Sequence, residues 1–426
     1  MTERGSTPAG ISVASWILYD LANTIFALGV VGVYLSDWLI VNGLSDSALA
    51  AVQMAAAAVV IFLAPWAGAR SDVRGTRVPT LMVTTVLAVG ATALLGTGPV
   101  LLTLILAWVA VIGVNTGSVV YDALLVDVST PANRGVVSGL GVGVGYLGSF
   151  IGLAIGFVTL DVLGWSHAAT FRALAAGFLI FALPAFRFIE ERPPTKHRPL
   201  PGLSEVLSRI VKAWRQATHY EGVVPFLVGR FFYTDAINTL LAGFLALFVI
   251  DELGLDRRFF TALMAVAIAA AVVGGLVTGR FVARLGALRV LRAVLLLWIL
   301  AMASGVAAAV TGETQLAWVI GPLGGIALGA TWTADRVVMT RISPPRHLGE
   351  FYGLYATVGR FATIAGPLTW AVVVDGLDLG RTAALGALMG FILVGWWILG
   401  RVDDREREWP PEDRVEISET PGSPPR

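Results

Sequence analysis

Ser129-Thr-Pro131-Ala-Asn-Arg134-Gly135-Val-Val-Ser-Gly139-Leu140 returns 214 positions later as Ser343-Pro-Pro345-Arg-His-Leu-Gly349-Glu-Phe-Tyr-Gly353-Leu354. Serine, proline, both glycines and leucine coincide without a gap. Within one residue of the same offset, Asp20-x-x-Asn23-Thr24 falls on Asp235-x-x-Asn238-Thr239. The chain is therefore one half written twice. Internal duplication in a very hydrophobic chain points to two membrane bundles with a site between them.

Composition supports the membrane reading. Of 426 residues, 56% are hydrophobic and 14% charged, against about 25% charged in an ordinary soluble domain. So much apolar surface needs a bilayer as its solvent. A net charge of +1 speaks against nucleic acid as a partner. The absence of cysteine excludes disulfides, thiolate metal sites and cysteine catalysis. Arginine outnumbers lysine 28 to 2, a bias without functional weight.

A helix needs about 20 apolar residues to cross the hydrocarbon core. Twelve runs qualify: 12–40, 48–69, 78–97, 99–126, 136–160, 168–189, 223–250, 259–282, 288–311, 315–339, 350–374 and 382–400. They are helices 1 to 12 below. The expected fold is all-α, with a short N-terminus (1–11), six-helix bundles at 12–190 and 223–400, a cytoplasmic linker (191–222) and a disordered tail (401–426). No cleavable signal is expected before helix 1. In the linker Leu203, Val206, Leu207, Ile210, Val211 and Trp214 share a helical face, as in a helix lying along the interface. Arginines cluster in the loops after even-numbered helices, among them Arg70, Arg74, Arg77, Arg187, Arg280, Arg284 and Arg341. The positive-inside rule then places both termini in the cytoplasm of a cell-membrane protein.

The loop after helix 2, Gly68-Ala-Arg-Ser-Asp72-Val-Arg-Gly75-Thr-Arg77, resembles the signature loop of the major facilitator superfamily. The second half keeps its glycine frame in Gly279-Arg-Phe-Val-Ala283-Arg-Leu-Gly286 but has alanine for the aspartate. A narrower resemblance runs through Ser15-Trp-Ile-Leu-Tyr-Asp20-Leu-Ala-Asn23-Thr-Ile-Phe26, Tyr121-Asp-Ala-Leu-Leu125, Phe232-Tyr-Thr-Asp-Ala-Ile-Asn238 and Gly349-Glu-Phe-Tyr-Gly353. These stretches look like bacterial relatives of the autophagy-related vacuolar amino-acid effluxers of fungi. The resemblance implies a major facilitator fold, solute export, and a conformational-switch role for Gly68, Asp72, Gly75 and Arg77. That family often has asparagine where this chain has Asp122, which adds a charge. The resemblance also implies that helices 1, 4, 7 and 10 line the central cavity.

Charges inside a membrane span are costly and mark function. Asp20 and Asn23 share one face of helix 1, and Asp235 and Asn238 one face of helix 7. On the cavity reading both carboxylates face the space between the bundles, where they could bind substrate or protons. The rival reading makes them helix fasteners. Helix 4 presents Asn115, Ser118 and Asp122 on one face. The repeat sets Asp122 opposite Arg336 and Asp127 opposite Arg341, as two salt bridges closing a cytoplasmic gate would require. In an alternative, Arg336 takes a substrate carboxylate and Asp122 its ammonium; a third reading is structural. Arg230 and Arg360 are further binding candidates.

Glycines 141, 143, 145, 148, 152 and 156 read as a close-packing stripe on helix 5, and Gly366-Pro367 as a kink in helix 11. The four histidines show no metal-ligand spacing, and neither a nucleophile elbow nor a Walker loop occurs. No enzyme activity, cofactor or metal is expected. The expectation is a monomeric, proton-coupled exporter of small polar or zwitterionic solutes such as amino acids. Export of hydrophobic compounds or lipids is the rival within transport. A non-transporting receptor or scaffold is the rival outside it.

Overall fold

The computed structural model describes residues 10–74, 76–130, 133–191, 203–344, 348–405 and 409–410. Six helical spans fill the first half: helix 1 (Gly10–Val41), helix 2 (Asp46–Arg74), helix 3 (Val78–Ala93), helix 4 (Val100–Leu124), helix 5 (Arg134–Gly156, continued by Phe157–Val162) and helix 6 (His167–Phe188). After a linker helix, Leu203–Ala217, come helix 7 (Val223–Thr239, continued to Glu252), helix 8 (Arg257–Leu285), helix 9 (Ala287–Thr311), helix 10 (Thr314–Ile342), helix 11 (Leu348–Phe361 and Ala365–Ala371, continued to Gly376) and helix 12 (Gly380–Leu399). The spans read from hydropathy differ from these by at most five residues at any end.

Helix 1 is the buried axis of its bundle. In its most apolar stretch 72% of residues are buried, against 33% in helix 8, which shows apolar side chains such as Leu276 and Val273 outward as lipid requires. Helix 1 packs on helices 5 and 6, and helix 8 lies along helix 10. The helix 5 stripe explains the first contact. A Cβ at Gly148 would collide with the Leu21 carbonyl, and one at Gly156 with the Tyr34 ring. Without those glycines helix 1 could not settle on helix 5, and Thr24 could not donate to the Gly145 carbonyl. Gly143, grouped with the stripe, faces open space.

The repeat is visible in backbone pitch. Helices 1 and 7 widen into π-turns at Ile25 and Leu240; helices 5 and 11 do so at Phe157 and Val372, each pair 215 positions apart. Helix 7 bends further at Gly243, whose φ of 106° only glycine adopts without strain. The break in helix 11 falls at Ala362–Ile364, three residues before the expected kink. Pro367 instead sits in the first turn of the next segment, where a missing N–H costs nothing.

Each half also closes on itself. Glu191, just after helix 6, accepts from Arg77 N and from Val78 N (2.6 Å) at the start of helix 3. Asp404, after helix 12, accepts from Leu288 N (2.9 Å) at the start of helix 9. Composition alone had put Asp404 in the tail; it belongs to the fold. Beyond it, Trp409 stacks on Tyr220 edge to face.

Candidate functional site

Helix 4 carries the first wall of the site. The i, i+3, i+7 spacing of Asn115, Ser118 and Asp122 puts all three on one face, and that face lines a cavity of about 390 Å³. Ser118 satisfies its hydroxyl on Val114 O (2.9 Å). Asp122 is inside the protein envelope yet open to the cavity. The facing wall comes from the other bundle: Asn238 on helix 7, and Arg360 and Thr363 at the break of helix 11. Asn238 donates to the Ala362 carbonyl that the break leaves free (2.9 Å).

Asp122 and Arg360 are the charged pair of this cavity. They lie within Coulombic reach of each other, and Arg336 and Asp20 complete the group. Among the described residues none of the four makes an ion pair or a side-chain hydrogen bond. The N-terminal bundle thus offers two carboxylates and the C-terminal bundle two guanidiniums, with space between them. Asn23 keeps one buried amide oxygen without a partner.

Two expected members of the site lie elsewhere. Arg230 is buried inside the C-terminal bundle, its Nε 3.1 Å from Asp335 Oδ2 and its guanidinium 3.7 Å over the Tyr355 ring. Tyr233 (3.2 Å) and Tyr355 also donate to Asp335. Sequence reading missed Asp335, although its place in the repeat is that of Tyr121, which stacks between Trp16 and Tyr19. Asp235 departs from expectation too. It is fully buried and lies against Gly366 of helix 11, facing the backbone of Ala365 and Gly366 and the Thr239 hydroxyl. It does not face the space between the bundles as Asp122 does.

The two expected gate pairs are not formed in this conformation. Asp127 pairs with Arg77 of its own half (2.7 Å), and Arg341 with Asp404 (3.6 Å). Both sit at helix ends where loops of the same bundle supply nearer partners. Arg77 therefore ties the signature loop to helix 4. Gly75 and the side chain of Asp72 lie outside the described residues, while Gly68 packs near Val119.

The opposite end is latched. Arg257 of helix 8 reaches Asp37 (2.7 Å) at the end of helix 1 and Asp161 (3.0 Å) at the end of helix 5; Arg258 adds a contact to Asp161 (3.4 Å). His167 meets the same Asp37 oxygen at 2.7 Å. A second cluster mirrors the first. Asp46 of helix 2 holds Arg381 through both oxygens (2.8 and 2.9 Å) and accepts from Trp370 (2.6 Å), while Asp251 holds Arg381 at 2.7 Å. Asp375 accepts from Ser47 N at 2.5 Å. The pairs Asp37 and Asp251, Asp161 and Asp375, His167 and Arg381 are each 214 positions apart.

Comparison with known proteins agrees with this architecture. The family profile described as Major Facilitator Superfamily matches residues 13–367 and again 232–419. The uncharacterized MFS-type transporter YxiO of Bacillus subtilis is 25% identical over 401 residues, covering 89% of this chain and 92% of that one. Autophagy-related protein 22-2 of Aspergillus clavatus is 26% identical over 271 residues, 56% of this chain; the match spans 43% of that relative's length. Among solved structures, the nucleoside transporter NupG in a single-residue mutant form superimposes with a TM-score of 0.71 at 13% identity, covering 92% of this chain and 99% of that one.

Proposed function

Since the chain belongs to the Major Facilitator Superfamily, we propose that it is a secondary transporter that exports a small zwitterionic solute, an amino acid in the simplest case, against an inward flow of protons. One observation carries the solute class: an unpaired carboxylate, Asp122, and an unpaired guanidinium, Arg360, face one cavity from different bundles. Both groups are open to the cavity and free to take a charged partner there. A solute with an ammonium and a carboxylate supplies both partners, through charge-assisted hydrogen bonds. Asn115 and Asn238 offer amide donors and acceptors beside them.

Alternating access follows from the two ends. The latch joins the bundles at the end bearing Asp37 and Asp46, while no ion pair among the described residues joins them at the end bearing the termini. With termini in the cytoplasm of a cell-membrane protein, as the arginine-rich loops favour, the latched end is extracellular and the cavity faces inward. Both clusters lie within a single chain, so alternation needs no partner and a monomer suffices. When the bundles rock, Asp122 and Arg336 approach and close the cytoplasmic mouth.

Asp20 and Asp235 are the proton carriers in this reading, because each is an aspartate inside a span without an ion partner. Substrate-driven proton movement in proteoliposomes tests the whole proposal. Amino-acid efflux should draw protons the other way; Asp235→Asn should leave solute counterflow intact and abolish uphill transport. Uphill transport undiminished in Asp20→Asn and Asp235→Asn alike would make both residues structural.

A further inference from the structure

A second cavity of about 240 Å³ lies across the crossing of helices 1 and 7 from the first. Ala27 and Leu241 line both, so one thin partition separates them. The chemistry of the two compartments differs. Leu245, Met264, Ile268, Trp298, Leu328 and Trp332 dominate the second, with Thr24, Tyr146 and Ser149 as its hydroxyl groups. Thr24 already donates to the Leu21 carbonyl (3.0 Å), and the Trp298 indole N–H to Thr331 (3.1 Å). What these two side chains offer an incoming group is mainly carbon.

An apolar hollow of this size holds water poorly and takes an apolar group readily. We propose that the transported solute is amphipathic: its charged head sits between Asp122 and Arg360, and an uncharged aliphatic or aromatic group passes Ala27 and Leu241 into the pocket of Met264, Trp298 and Trp332. This rests on the charged-head reading above. It also unites the polar and the hydrophobic solute classes in one molecule. The walls of the second pocket come from both bundles, helices 1 and 5 on one side and helices 7 to 10 on the other. Occupation of that seam is therefore coupled to the rocking of the bundles.

The test is a homologous series of unbranched α-amino acids, from alanine to 2-aminooctanoate, titrated calorimetrically into the purified full-length protein in nanodiscs. Affinity should rise by about fourfold per methylene, the value for burying one such group, and level off when the pocket is full. Leu245→Trp, at a residue that lines the second pocket and not the first, should flatten the series while leaving alanine bound as in the unmodified protein. Leu328→Trp fills the pocket from helix 10 and should do the same, so a folding defect in one variant does not decide the matter. A flat series in the unmodified protein overturns the inference and leaves the charged-head reading standing. Binding by no member, alanine included, removes that reading and the inference with it. A flat series together with a co-purified phospholipid that Leu245→Trp expels assigns the pocket to the bilayer and also overturns the proposal.

Discussion

Asp46 and Arg257 stand at the same place in the two halves, the first residues of helix 2 and helix 8, and carry opposite charges. Each reaches across to the other bundle: Asp46 to Arg381 at 2.8 Å, Arg257 to Asp37 at 2.7 Å. The groups that recur at the repeat offset around them, Asp37 and Asp251, Asp161 and Asp375, His167 and Arg381, keep their sign; the first residue of the second helix in each half does not. The acids are almost fully buried and the arginines about one-fifth exposed. Each pair therefore ranks between a screened surface contact and a buried one.

Removing one arginine should release the latch. Arg257→Ala strands Asp37 and Asp161 without their shared cation, at a cost of about 1–3 kcal/mol to the latched state alone. Since about 1.4 kcal/mol shifts a two-state ratio tenfold, a cysteine placed near Asp37 should label at least several-fold faster. Arg381→Ala should act likewise at the other cluster, and the two effects should add. Labelling unchanged in both variants would show that helix packing alone keeps this end shut.

The charged cavity makes a sharper demand. Asp122→Asn and Arg360→Gln each remove one charge-assisted contact, worth about 1.5–3 kcal/mol, so solute affinity should fall about ten- to a hundredfold. Arg360→Lys keeps the charge but loses the planar fork and should recover part of the loss. Calorimetric titration checks all three. Equal affinity in Asp122→Asn would remove Asp122 from the binding site.

The closing of the mouth at the end bearing the termini can be trapped. The chain has no cysteine, so Asp122→Cys with Arg336→Cys introduces a lone pair of thiols. In the latched state the two should stay reduced under mild oxidant. Combined with Arg257→Ala, they should cross-link as the ends opposite the latch come together, because a disulfide needs Cα atoms within about 7 Å. Cross-linking that is indifferent to Arg257 would separate this pair from gating.

Gly243→Ala probes the same equilibrium from the backbone. At φ 106° a side chain is strained by about 1–2 kcal/mol, and its Cβ would press on Ser36 and on the Val31 carbonyl of the opposite bundle. The substitution should wedge the latched end open, with faster labelling there and a lower melting temperature. Labelling unchanged with only the melting temperature lowered would confine the effect to helix 7 itself.

What the sequence made legible was what depends on pattern. Hydropathy located the twelve helical runs, and among the described residues ten of them are long and apolar enough to cross a membrane; the Asn115, Ser118, Asp122 face followed from helical spacing. Tertiary partners were less visible. Nothing local distinguishes Arg230, which finds Asp335 at a separation of 105 residues, from Arg360, which has no ion partner among the described residues. The latch could have been seen earlier. Asp37, Asp161 and His167 recur at the repeat offset as Asp251, Asp375 and Arg381, but they sit at helix ends where charge is ordinary. Asp127 and Arg341 carry opposite charges at equivalent positions, and in this conformation each is served by its own half; a mutual pair between them belongs to the conformation in which helices 4 and 10 approach.

Glu191 and Asp404 set how the molecule can move. Each carboxylate follows the last helix of its half and clasps the first turn of that half's third helix, so the chain of each bundle is tied end to middle. A hinged jaw works only if its two plates resist bending, and these clasps stiffen the plates on the side away from the latch. When the latch lets go, each plate then moves as a unit, together with the rim where Asp122 and Arg336 stand. A chain cut between residues 192 and 202 should still assemble and transport, provided both clasps are intact.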